Sequence, residues 1–206
     1  YTYTAKPNIS EDVTSEEITF QITDADGDTS ESPVTVTLNQ ATAPTAAEVT
    51  VDEAALDGGN AYEGMGSATA AVALDGYTIT KGGEGHYGNI AKDDQGNWVY
   101  TLTKTYTDDT KTQDGRNPVE DADTVKITVQ DANGNSFDVA VPVTIKDDVP
   151  SIKASGVTVV EGNTSEDAAI TYTYGADVPS GSTIVVKGAT LLEEGDHAGS
   201  YEVQYG

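Results

Sequence analysis

The chain contains no cysteine in 206 residues, which excludes a disulfide framework and any thiolate metal site. Outside a reducing compartment its rigidity must therefore come from another source. Basic residues are scarce: 10 Lys and Arg stand against 35 Asp and Glu, a formal charge of −25. Such self-repulsion is relieved by cations, and it argues against nucleic acid or an anionic membrane surface as a partner. Divalent cations, basic surfaces and neutral ligands remain. No apolar run approaches the roughly 18 residues of a membrane span, so no membrane insertion is expected. Tyr1 opens directly into strand-like "YTYTA" without a signal peptide, which reads as a piece of a longer chain. The hydrophobic fraction is only 36%, yet Val, Ile and Tyr are well represented in it, and these suit half-buried pleated surfaces. An all-β fold is expected.

The sequence repeats itself. Setting Asp24 on Asp131 superposes "ITFQITDADGDTSESPVTVTL" on "VKITVQDANGNSFDVAVPVTI", and both stretches read as a β-hairpin with a turn cluster at the tip. In the second copy Phe137, Val139, Val141, Val143 and Ile145 alternate with Asp138, Ala140, Pro142 and Thr144, the period-two pattern of a strand with one buried face. Pro142 cannot donate to a ladder, so its place suggests a sheet edge or a bulge. A further hairpin is expected around "DDQGN", with Trp98, Tyr100 and Leu102 on one face and Trp98 as a core anchor. Near the C-terminus "VTVVEG" repeats "VTVDEA" and "STIVVKGA" resembles "YTITKGGE". Residues 1–43 thus read as the C-terminal part of a unit, 44–150 as a complete unit and 151–206 as the N-terminal part of another. The chain is either cut from a tandem array, or head and tail fragments of neighbouring chains complete each other.

The acidic residues raise a question of ions. Asp24, Asp26 and Asp28 place oxygens at alternate positions around Gly27, and calcium takes six to eight oxygen ligands. An EF-hand is excluded, because its loop wants Gly sixth and Glu twelfth, whereas Gly27 is fourth and Thr35 twelfth. The other reading is plain turn chemistry, since Asp-Gly and Asn-Gly satisfy tight turns unaided. The second tip, with Asp131, Asn133 and Asn135, keeps the turn residues and loses charge. A stronger ion candidate lies at the boundary before Pro150, where Asp147 and Asp148 adjoin. Two carboxylates forced together there repel unless a cation bridges them to the neighbouring unit. Glu161, Asp131 or Asp138 could complete that shell.

Together, "TDADGD...VTVTL", "YG...DDQGNWVYTLTK" and "VTIKDDVP" resemble the bacterial VCBS and cadherin-like repeats of giant RTX-type surface adhesins. The resemblance covers nearly all of the chain. It implies tandem Ig-like or cadherin-like Greek-key β-sandwich domains of about 100 residues each, held outside the cell at its surface, with calcium ions stiffening their junctions. It also implies a non-catalytic extender, whose partners are neighbouring copies of the same repeat and whose cell-surface or glycan target is met by another part of the full protein. This chain departs from the pattern at its first boundary, "LNQATAPT", which lacks the acidic pair of "IKDDVPS".

Catalytic motifs are missing. His86 and His197 recur in similar acidic-glycine settings without an HExxH or nucleophile-elbow context. Asp93–Asp94 and Asp108–Asp109 are chain neighbours, whereas retaining glycosidases hold two carboxyls about 5 Å apart across a sugar. Two further functions stay open: a carbohydrate- or protein-binding module using the insertion at 105–124, with Arg116 beside Asp108, Asp109 and Asp114, or a fibre subunit completed by strand exchange between chains.

Overall fold

The computed structural model describes residues 1–61, 63–107, 115–158, 160 and 169–177, together with the backbone of 190–191 and 201–202. Its regular structure is β-strand, with one short 3-10 turn over Glu53–Ala55. Strands β1 (Ser15–Thr23) and β2 (Thr29–Thr37) form a two-stranded antiparallel sheet. Next come β3 (Val49–Asp52), β4 (Thr69–Ala71), β5 (Thr78–Lys81), β6 (Gly83–Glu84), β7 (Gly88–Lys92), β8 (Trp98–Leu102), β9 (Pro118–Gln130) and β10 (Ser136–Lys146). They build two four-stranded sheets, ordered β3-β10-β9-β5 and β4-β8-β7-β6. All pairings in them are antiparallel except β3 with β10, which is parallel. After them β11 (Ser151–Ala154) pairs with β12 (Ile170–Thr173), and β13 (Thr190–Leu191) with β14 (Tyr201–Glu202).

The two four-stranded sheets enclose one apolar cluster that runs from Ala46 to Ile145. Val125, Ile127 and Val129 of β9 and Val139, Val141, Val143 and Ile145 of β10 face Ile90, Tyr100 and Leu102 of the other sheet in this cluster. The alternation expected of β10 holds from Asp138 to Val143, with Asp138 and Ala140 exposed and the valines buried, but Phe137 is only half-buried and Thr144, expected to face outward, is buried where the β9–β10 register shifts. Pro142 lies just before Val143, where β3 begins to pair, and the β9–β10 register shifts between Val143 and Ile145. Both anticipated settings for a proline therefore meet there: a locally uncovered strand and an irregularity.

The repeat is visible in the hydrogen-bond register. Ile18 pairs with Val34 and Ile22 with Ser30 in the first hairpin, and their counterparts Val125 with Val141 and Val129 with Phe137 pair in the second. Burial differs sharply, however: Phe20 is 44% exposed and Ile22 71%, while Ile127 and Val129 are at 1% and 0%. Among the described residues, no second sheet covers β1 and β2.

A buried carboxylate ties the two central sheets together. Asp123 accepts backbone N–H bonds from His86, Tyr87 and Gly88, and the hydroxyl of Tyr100 at 2.9 Å. Burial alone would raise its pKa, but these donors outweigh burial and hold it below the usual carboxylate range. Gly85 is required beside it, since a Cβ there would stand 2.3 Å from the carboxylate. Glu16, at the β1 position matching Asp123, accepts the Tyr3 hydroxyl at 2.5 Å, so the tyrosine-acid contact recurs with the repeat.

Candidate metal centre

The hairpin tips share one geometry. At residues 24–28, 93–97 and 131–135 the N–H of the leading aspartate donates to the carbonyl four residues on, and a glycine N–H donates back to its own carbonyl. Gly27, Gly96 and Gly134 have φ of 101°, 87° and 90°, a left-handed conformation that a Cβ disfavours. Each leading carboxylate also accepts backbone N–H groups from its own turn: Asp24 from Asp26, Gly27 and Asp28, Asp93 from Gln95 and Asn97, Asp131 from Asn133 and Asn135. These tips close by themselves. Asp24, Asp26 and Asp28 do bring carboxylate oxygens within 4.8 Å of one another, but all three are exposed. At the second tip only Asp131 is charged, with Asn133 exposed and Asn135 held to Asp131 through its side-chain amide.

A different cluster forms at the boundary before Pro150. Glu53, Asp147 and Asp177 place carboxylate oxygens within 4.8 Å of one another. Glu53 belongs to the 3-10 turn after β3, Asp147 to the segment leaving β10, and Asp177 to the segment after β12. Three parts of the chain, on both sides of the boundary, thus converge on one point. Asp148 fastens them: its buried Oδ2 accepts the N–H of Asn60 at 3.0 Å and of Ala176 at 2.8 Å. Asn60 in turn donates to the carbonyl of Val149 and accepts the Ser151 hydroxyl. Gly175 is obligatory here, with φ of 83° and room for no Cβ against Asp148.

The electrostatics of the cluster are adverse without a cation. Glu53 is wholly buried. It accepts N–H bonds from Tyr106 at 2.7 Å and Asp148 at 3.2 Å. Burial, then the hydrogen bond with Asp147 and the charge of Asp177, push its carboxyl up to about 8. That hydrogen bond needs one of the two acids protonated. Burial also raises Asp147 and Asp177. The Oδ1 atom of Asp177 is buried and meets no hydrogen-bond donor, although Thr105 bonds the same carboxyl group. An all-oxygen set of three carboxylates with an unsatisfied oxygen fits a hard cation such as calcium, and does not suit zinc, which favours nitrogen and sulfur.

Of the residues singled out in the sequence, Asp147 lies in this cluster and Asp148 directly behind it. Asp131 caps its own tip, and Asp138 bonds Lys126 and Thr128 on the outer face of the β9–β10 hairpin, so neither joins Asp147. Glu161 lies outside the described residues. Glu53 and Asp177 were not anticipated. Glu53 does carry a sequence signal, because "VTVDE" and "VTVVE" make it the counterpart of Glu161 one unit earlier. Asp177 carries no sequence signal beyond its charge.

The insertion at 105–124 is rooted on the same place. Thr105 and Tyr106 contact the cluster, and Asn117 accepts the N–H of Asp147 at 3.1 Å. Residues 118–124 are not loop but the start of β9. Arg116 does not face solvent with its acidic neighbours: it forms a buried ion pair with Asp52 at 2.5 Å. Burial would raise Asp52, but Arg116 and the N–H groups of Gly66 and Ala54 lower it overall. Asp108, Asp109 and Asp114 lie outside the described residues, as does His197. His86 packs its ring against Tyr87, with centroids 4.5 Å apart.

The earlier boundary is built from amides. Gln40 and Ala41 stand where Asp147 and Asp148 stand in the next copy, and Gln40 donates to the carbonyls of Ser10 and Val13. Asn8, at φ 56°, clasps the second tip. Its N–H donates to Asn135 Oδ1 at 3.0 Å, its Nδ2 to the Gly134 carbonyl, and its Oδ1 accepts the Ser136 N–H at 2.7 Å. No family model, curated protein or solved structure matches the chain.

Proposed function

We propose that the chain is a non-catalytic extender from a secreted bacterial surface adhesin or fibre, in which Ig-like β-sandwich repeats are joined end to end and calcium stiffens the junction before Pro150. The observation that carries this reading is the convergence of Glu53, Asp147 and Asp177 from both sides of the boundary, with a buried Asp177 oxygen left without a donor. A cation there would cancel repulsion that otherwise opposes docking, and would turn a hinge into a fixed angle, which increases reach for a given number of residues. The test is thermal unfolding with calcium against chelator. A ligand bound only by the folded form stabilises by about 4 kcal/mol at a thousand times its dissociation constant, so a clear upward shift is expected. Unchanged melting removes calcium from the account.

A second reading, a self-assembling fibre subunit, is favoured by the uncovered β1–β2 hairpin. Its counterpart β9–β10 is flanked by β5 and β3, and strands of that kind from another copy would pair with its free edges. Concentration-dependent sedimentation distinguishes this from a monomeric extender. The glycan- or protein-binding reading of 105–124 has less support, since Arg116 is committed to Asp52.

A further inference from the structure

Where β5 leaves one central sheet and β6 joins the other, the chain passes through Gly82 and Gly83 and leaves an open groove of about 800 Å3. Both glycines are dictated by packing: a Cβ on Gly82 would stand 1.9 Å from the Ile90 carbonyl and 2.9 Å from the Trp98 ring, and one on Gly83 would stand 2.1 Å from the Lys126 carbonyl. Trp98, expected as a core anchor, does pack against the core cluster, but it is half-buried and also lines this groove. Lys92 holds its amine over the indole, 5.4 Å from the ring centroid, and Lys81 and Lys126 stand on the same walls.

The charge here runs against the rest of the molecule. Three of the chain's 10 basic residues line the groove, against two of its 35 acids, Glu84 and Asp138. The Lys126–Asp138 pair is exposed on both sides, so water already screens it and a ligand can compete for the amine at small cost. The volume lies within the range of roughly 300–1,000 Å3 typical of small-ligand sites.

We infer that this groove binds a short uronic-acid oligosaccharide, which draws the exposed Lys92 amine off the indole, stacks a sugar face on the Trp98 ring and places its carboxylates against Lys81, Lys92 and Lys126. Charge complementarity selects an anion. The aromatic floor and the hydroxyl-matching groups Asn89 and Asp138 select a sugar over an acidic peptide, which has neither a ring face for the indole nor hydroxyls to offer Asp138. The site is separate from the acidic cluster and does not depend on calcium there.

Trp98 is the chain's single tryptophan, so fluorescence excited beyond the absorption band of the 11 tyrosines reads this groove. Titration of the whole chain with tri-galacturonic acid is expected to give a saturable change in emission, equal in calcium and in chelator and weakened by added salt. The double variant Lys81→Gln/Lys92→Gln, substituted at two exposed positions, is expected to bind at least tenfold more weakly with an unchanged far-UV spectrum and cooperative melting. Trp98→Phe, followed by calorimetry, is expected to weaken binding as well while keeping an aromatic ring in the fold. Four results overturn the inference: no binding by fluorescence and calorimetry at millimolar sugar, equal binding of a neutral galactose trimer, equal binding of triglutamate, or full affinity in the lysine double variant.

Discussion

Glu53 concentrates the energetics of the boundary in one side chain. Its folded pKa, raised to about 8, exceeds the unfolded value, so its contribution is fully present below the unfolded pKa and is lost as pH rises towards 8. Asp147 and Asp177 are raised too and act in the same direction. Asp52 and Asp123 are lowered; their contribution is present above the ordinary carboxylate range and is lost only in stronger acid. Melting temperature in chelator should therefore fall as pH is raised from about 5 to 8. Saturating calcium should flatten or reverse that slope, because the metal needs deprotonated ligands. Glu53→Gln is expected to raise the melting temperature in chelator at pH 8, abolish most of the slope and remove the calcium response, all read by calorimetry. Should the variant keep a full calcium shift, Glu53 is not a ligand. Asn8 offers the contrast: Asn8→Ala should cost about 1 kcal/mol per lost hydrogen bond at the amide boundary, speed amide exchange at Ser136, and leave the calcium response untouched.

At the scale of elements, identical register with opposite burial gives a direct comparison. Ile127→Ala should destabilise the central unit by about 2–5 kcal/mol, the cost of a cavity among fully buried neighbours. Phe20→Ala, at the matching position of β1, should cost little in the unassembled chain and reduce association if β1–β2 pairs with another copy; denaturant melts and sedimentation velocity check the two halves of this expectation. Tyr100→Phe should cost about 1–3 kcal/mol by leaving Asp123 short of its hydroxyl donor in the core. The hairpins were legible because period-two alternation and Asp-Gly or Asn-Gly tips are local signals, and β9–β10 obeyed them as far as Val143, beyond which the register shift buries Thr144 as well. The half-burial of Trp98 was not legible, since alternation assigns a face to a side chain but not the gap left where Gly82 carries the chain between sheets. Arg116 also escaped, because its partner Asp52 is brought near only when β3 pairs with β10 at the far end of the unit.

For the whole molecule, the repeat was readable from one superposition, but the composition of each boundary was not. Asp147 and Asp148 announce themselves as an adjacent pair, whereas Glu53 and Asp177 reach them only through the fold. Gln40 and Ala41 show that the two boundaries use different chemistry. Small-angle scattering should therefore show calcium ordering the arrangement around Pro150, with the Asn8 boundary the same in chelator.

One consequence follows from the parallel pairing of β3 with β10. Tension applied to the two ends of the chain enters the central sheets ahead of β3 and leaves them after β10, so the two strands are drawn in opposite senses along their length. The bonds spanning Val143 to Lys146 are then sheared together instead of peeled one after another. A unit tied in this way yields late under stretching, so single-molecule pulling should find the central unit outlasting β1–β2, whose strands part from one end like a zip.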